Sequence, residues 1–333
     1  MTTVRVRLVV IVLTLVLIMA CFASLMVGSS TVGPAQVWAV MTGQGTSAES
    51  AVVVGMRVPR TLLGLLCGVA LGIAGALTQA HTRNPLADPG LIGVNSGASL
   101  AVVLAISVLG VASPAAYVWA ALVGGTVAGI AVMVLAGRIR MFEPMTTIVL
   151  TGAVLTALFN SATTGIGLFN TETAESFQAW SVGSLAGRDL SVAGGVAPVL
   201  VLGLVVAGIN LPALEGLELG DELASSLGRH AGRDRIMGLA AVVLLAGAAT
   251  AAAGTLGFLG LLAPHLARGL VGSRPIATVL VAGLTGPVVL LAADVIGRVC
   301  VKTSEVEVGI MLAILGAPLF VLLARRLHMG GAA

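Results

Sequence analysis

Fixed charges stand out in a chain that carries few of them. Arg57 and Arg60 bracket Pro59 in RVPR, at the mouth of an apolar run. Asp294 precedes Arg298 by four residues on another run, the order that lets a carboxylate and a guanidinium meet on one helix face. Arg57, Arg60 and Arg298 would form a cationic rim suited to carboxylates on a docking protein or to an anionic substrate. Snorkelling at a membrane interface is the plainer alternative and stays open. Asp294 has three readings: neutralising Arg298, assisting a docked partner, or carrying protons. Covalent chemistry has little to rest on. The chain has no GxxxxGK[ST] loop, no HExxH and no Ser/His/Asp order, so no catalytic residue is assigned, and no cofactor or metal is expected. Cys21, Cys67 and Cys300 stand singly in or beside apolar runs, without metal-ligand spacing. His265, after Pro264, reads as a hydrogen-bonded packing residue.

Two polar stretches invite a role outside any apolar layer. ALTQAHTRNPLADPGLIGV packs Arg83, Asn84, Pro85, Asp88 and Pro89 between two long apolar runs. The prolines restrict the residue before each, and Asn84 and Asp88 suit a turn where helix ends leave backbone groups unpaired. This predicts a corner; contact with a partner is the sharper alternative. In LPALEGLELGDELASSLGRHAGRDR, Asp221 can cap a short helix and Gly228 can end it. Leu219, Leu223 and Leu227 share one face, with Glu218, Glu222 and Ser225 off it. A helix lying on lipid headgroups favours Lys and Arg on its polar face, and this one carries acids. Partner docking is therefore preferred over a plain surface helix.

The elements that position these residues follow from composition. The chain has 333 residues, 58% hydrophobic and 9% charged, with mean hydropathy +1.10. That is far below the roughly 25% charge of soluble domains, and it leaves an all-α polytopic membrane protein. Apolar runs predict ten spans, at about 8–28, 61–80, 91–111, 115–137, 145–168, 190–210, 236–256, 257–271, 276–296 and 306–325. The first resembles a signal peptide but is long enough to span, so it is read as retained. Twelve of the seventeen Lys and Arg fall on one side of this threading, which puts both termini in the cytoplasm. The RNPLADP corner and the segment 211–235 lie on that same side, and RVPR and Arg298 on the outer side. Gly64, Gly68 and Gly72 form a GxxxGxxxG stripe, and Gly125 and Gly129 a second, which predicts close helix packing. Trp180 on an outer loop suits an interface anchor. Residues 1–333 read as one transmembrane domain, with lipid as its solvent and no nucleic-acid surface.

Six motifs, in order along nearly the whole chain, carry a resemblance: RVPR at 57–60, RNPLADPGLIGVNSGA at 83–98, WSVGSL at 180–185, DELASSLG at 221–228, FLGLLAPHLAR at 258–268 and GAPLF at 316–320. Together they resemble the FecCD type, the ten-helix permease subunits of ABC importers for iron–siderophores, haem and cobalamin. The resemblance implies the type II importer fold. It also implies a second permease subunit, identical or paralogous, two ATP-binding subunits and an extracytoplasmic substrate-binding protein. Asp221, Glu222, Leu223, Ala224, Ser225, Leu227 and Gly228 then match the coupling helix that seats in the ATPase. Arg57, Arg60 and Arg298 match arginines that receive the binding protein, and Asn160, Ser161 and Thr164 would line the path. Two departures are visible: Glu307 stands where the family usually has proline, and AGRDL follows WSVGSL where an aromatic is common. A ferric siderophore is the expected cargo, with haem and cobalamin as alternatives. A proton-coupled carrier using Asp294 is the rival class.

Overall fold

The computed structural model describes residues 3–28, 32–111, 113–139, 144–218, 230–301 and 304–330. Every regular element among them is helical. In chain order these are α1 (Thr3–Met26), α2 (Pro34–Met41), α3 (Ser47–Val52), α4 (Val58–Thr82), α5 (Val94–Leu109), α6 (Pro114–Arg138) and α7 (Pro144–Phe169). There follow α8 (Thr171–Ser181), α9 (Leu190–Glu218), α10 (Ala231–Ala253), α11 (Leu259–Val271), α12 (Pro275–Cys300) and α13 (Val308–Gly330). A π turn, Val53–Arg57, welds α3 to α4. Seven helical stretches among the described residues are long and apolar enough to cross a membrane, and α5, α11 and the Val308–Leu322 part of α13 are further apolar helical segments. Each apolar run picked out above coincides with one of these helices.

The short helices were not anticipated, though each has a local cause. Pro34 sits in the first turn of α2, where its missing N–H costs nothing. Thr46 and Glu49 form a reciprocal capping box on α3. The Asn170 side chain accepts the Thr173 N–H to start α8.

The bundle is organised around α4, which packs along α12, α10, α11 and α9 and is buried on most sides. Small residues make this possible. A Cβ at Gly68 would lie 2.3 Å from Pro287 Cα, and one at Gly72 would lie 2.2 Å from the Ala282 carbonyl oxygen. The helices therefore touch backbone to backbone, the use that small residues have in lipid. The second stripe makes room for a side chain instead: a Cβ at Gly129 would meet the Val243 side chain at 2.5 Å.

Between α8 and α9 the chain threads inward. Ser184 N–H donates to the Ala253 carbonyl at 2.7 Å, and Gly309 N–H donates to the Gly183 carbonyl at 3.0 Å. Trp180 is consequently 2% exposed and packs beside Phe177. It is a core residue here and not the surface anchor expected of it, because the last turn of α8 and the loop after it fold into the bundle.

The packing predicts a sharp asymmetry. Gly72→Leu should destabilise the detergent-solubilised protein by about 1–3 kcal/mol or more, since backbone cannot yield as a side chain can. Gly137→Ala, with no heavy atom within 4 Å of the new methyl group, should leave thermal stability unchanged or slightly raised. Melting curves of the two variants check this.

Candidate functional site

At one end of the bundle the structure brings Arg57, Arg60 and Arg298 together, although α12 lies more than two hundred residues after α4 in sequence. The centre is Asp294, on α12 and 0% exposed. Arg60 donates to it from Nε at 3.0 Å and from Nη2 at 2.8 Å. Arg298 donates from Nε at 3.0 Å and also through Nη2. The i,i+4 pair of α12 thus forms, and a guanidinium from α4 shares the same carboxylate. Arg60 Nη1 reaches Glu305 at 2.5 Å.

The remaining donors hold α1. Arg57 Nη1 donates to the Leu25 carbonyl at 2.8 Å, and its Nη2 donates to the Val32 carbonyl at 2.9 Å. Arg298 Nη1 donates to the Ser24 carbonyl at 2.6 Å. The last carbonyls of a helix have no partner within it, and basic side chains satisfy them well. Ser24 and Thr61 hydroxyls, 2.7 Å apart, close the network. α1 is exposed along most of its length, so these arginines supply much of what fixes its end.

All three arginines are buried, yet they line a cavity of about 280 Å³ with Gly28, Val52 and Glu305. Among the described residues of this network, three guanidinium groups face two carboxylates, Asp294 and Glu305, so most of its positive charge is offset. Glu307, the residue standing where the resemblance expects proline, lines a neighbouring cavity with Arg188 and Trp180.

The other sequence-derived candidates are placed as follows. Arg83 caps α4 in the left-handed conformation, at φ 50°. Asn84 Oδ1 accepts the Leu86 N–H at 2.9 Å, and Asp88 Oδ1 accepts the Gly90 N–H at 2.8 Å. Pro85 lies in the same turn, ahead of a 3-10 turn over Pro89–Ile92. Burial pushes the Asp88 carboxyl above the ordinary carboxylate range, against the downward pull of the Gly90 N–H. Asn160, Ser161 and Thr164 are exposed on α7, with the Ser161 hydroxyl turned back to the Ala157 carbonyl at 2.8 Å. Asp221, Glu222, Leu223, Ala224, Ser225, Leu227 and Gly228 lie outside the described residues.

Removing the shared carboxylate should be costly. Asp294→Asn leaves two buried guanidinium groups short of charge, a defect worth about 3–5 kcal/mol. Glu305→Gln removes a carboxylate that is partly solvated and should cost under about 1 kcal/mol. Thermal unfolding of the two variants in one detergent should rank them in that order; equal effects would remove Asp294 from the centre of the network.

The comparisons with known proteins agree along the whole chain. The profile of the FecCD transport family matches residues 15–326. The ferric enterobactin transport system permease protein FepD of Escherichia coli (strain K12) is 40% identical over 96% of this chain and 96% of its own. The ferric enterobactin transport system permease protein FepG of the same organism is 34% identical over 91% of this chain and 92% of its own. A solved inward-facing structure described as a metal-chelate type ABC transporter superimposes with a TM-score of 0.80 at 26% identity, covering 96% of this chain and 99% of that one. With its motifs in register from end to end and its fold shared over nearly every residue, the chain belongs to the FecCD transport family.

Proposed function

We propose that this chain is the transmembrane permease of an ATP-driven importer of ferric siderophores. Full-length similarity to permeases named for ferric enterobactin, joined to the fold of a metal-chelate type transporter, carries this reading. The chain contributes ten spans with both ends in the cytoplasm of a cell-membrane complex. It pairs with a second permease subunit. That FepD and FepG, two relatives from one organism, both match it favours a paralogue over an identical copy.

The translocation path runs along α7. Asn160, Ser161 and Thr164 are polar and exposed on a helix that is mostly apolar and little buried. Amide and hydroxyl groups facing hydrocarbon are costly, so this face belongs against water or a partner subunit. An extracytoplasmic binding protein docks over the mouth formed by Arg57, Arg60 and Arg298. Because these side chains are committed to Asp294, Glu305 and the end of α1, they shape the mouth more than they charge it. The segment 221–228 seats in the ATP-binding subunit. Movement between inward-open and outward-open states then needs only differential affinity for nucleotide and cargo, with no covalent step in this chain.

The direct test is uptake of iron-labelled ferric enterobactin into proteoliposomes holding both permeases, the ATPases and the binding protein. Import should cease with a hydrolysis-dead ATPase and persist after the proton gradient is collapsed. The reverse pattern would favour a proton-coupled carrier acting through Asp294. Saturable competition by haem or cobalamin, without competition by other ferric chelates, would move the cargo to those alternatives. A single cysteine at position 225 should react with impermeant reagent only from the cytoplasmic side.

A further inference from the structure

Far from the arginine mouth, at the Thr82 end of α4, lies a second buried polar group. His81 is 2% exposed and Asn210, on α9, is 0% exposed. His81 Nε2 lies 2.8 Å from Asn210 Oδ1, and Asn210 Nδ2 donates to the Asp234 carbonyl at 2.7 Å. The second bond orients the amide. Its nitrogen faces the carbonyl, its oxygen faces the imidazole, and His81 therefore carries its proton on Nε2 and donates. Asp234 stands in the first turn of α10. One turn on, a Cβ at Gly238 would lie 1.8 Å from His81 Nε2, so the imidazole rests directly on the α10 backbone.

α9 and α10 are the two helices joined by residues 219–229. A single hydrogen-bonded chain therefore ties both roots of that segment to the end of α4. Breaking it would strand buried polar groups, which favours movement of the three helix ends as one. From His81, α4 runs without interruption to Arg60 and the outer mouth.

We propose that His81 and Asn210 are positioning residues that pass displacement of the segment 219–229 to α4, so that nucleotide hydrolysis in the partner subunits opens the path. The proposal rests on the reading of that segment as the ATPase contact. Simple scaffolding would make hydrolysis and transport fail together. Transmission makes them separate, with hydrolysis continuing while import stops.

The experiment uses the complete complex in proteoliposomes, reading ATP hydrolysis and iron import in parallel. The probe is whichever of ferric enterobactin, ferric citrate and a ferric hydroxamate the wild-type complex imports. In His81→Leu and Asn210→Leu, hydrolysis should stay within about twofold of wild type, while import per ATP falls roughly tenfold or more, the scale of a lost coupling interaction. His81→Gln sets an amide nitrogen where Nε2 lies and loses nothing at Nδ1, which has no hydrogen-bond partner among the described residues. It should restore import per ATP to within about threefold of wild type. His81→Asn is too short to reach Asn210 and should remain uncoupled. If the leucine variants do not accumulate, the Gln and Asn pair decides alone. Wild-type import per ATP in His81→Leu or His81→Asn, or matched loss of hydrolysis and import, overturns the proposal. The underlying reading has its own control. Leu223→Asp should abolish co-purification of the ATPase, and an intact, active complex would refute the contact at 219–229 whatever the His81 variants do.

Discussion

The backbone contact between α4 and α12 is the constraint on which the rest depends. Gly68 and Gly72 bring α4 against Pro287 and Ala282 with no side chain between them. That spacing fixes where the ends of both helices fall. It lets Arg60 of α4 reach Asp294 of α12 at one end. At the other it carries His81 to the place where α9 and α10 come together. Lipid supplies no hydrophobic force to press helices together, so van der Waals contact at this closeness, with buried polar bonds, must do it.

The two polar clusters at the ends of α4 differ in kind. The arginine mouth is ionic, with one carboxylate bridging two guanidinium groups and the spare donors closing the end of α1. A buried ion pair is weak grounds for stability, because desolvation offsets much of the attraction. Its geometry is nonetheless demanding: Arg60, Arg298 and Ser24 converge only when α4, α12 and α1 are in one register. The His81 cluster joins three helices through an imidazole, an amide and a backbone carbonyl.

Much of the architecture was legible in the sequence because its signals are local. Twenty-residue apolar runs give spans, GxxxG spacing gives close contact, and Asp294 and Arg298 lie four apart on one face. What lay hidden was set by tertiary contact. The Asp294–Arg298 pair is legible from its spacing, but nothing near Arg60 in sequence announces the same carboxylate as its partner. Trp180 reads as a surface anchor because it follows a polar stretch; only the docking of the end of α8 and the turn after it, Gly183 and Ser184, onto Gly309 and Ala253 buries it. His81 and Asn210 are hidden in the sequence for the same reason. Each is one polar residue near the end of an apolar run, and their meaning appears only when three helices converge. The helices α2, α3 and α8 do carry visible signals, Pro34, the Thr46/Glu49 box and Asn170, but these are local caps and not apolar runs.

A bundle packed at backbone distance does not deform gradually; such cores move as bodies or switch between discrete packings. The account accordingly holds that α4 and α12 travel together while the contact between permease subunits changes. Spin labels at Asn84 and Ser273, both exposed and just beyond the paired ends of α4 and α12, measure this directly in the reconstituted complex. Between nucleotide-free and ATP-bound states their separation should hold within about 2 Å, while the distance from Asn84 to the matching position of the second permease subunit shifts. A change of about 5 Å between Asn84 and Ser273, the rise of one helical turn, would contradict the account.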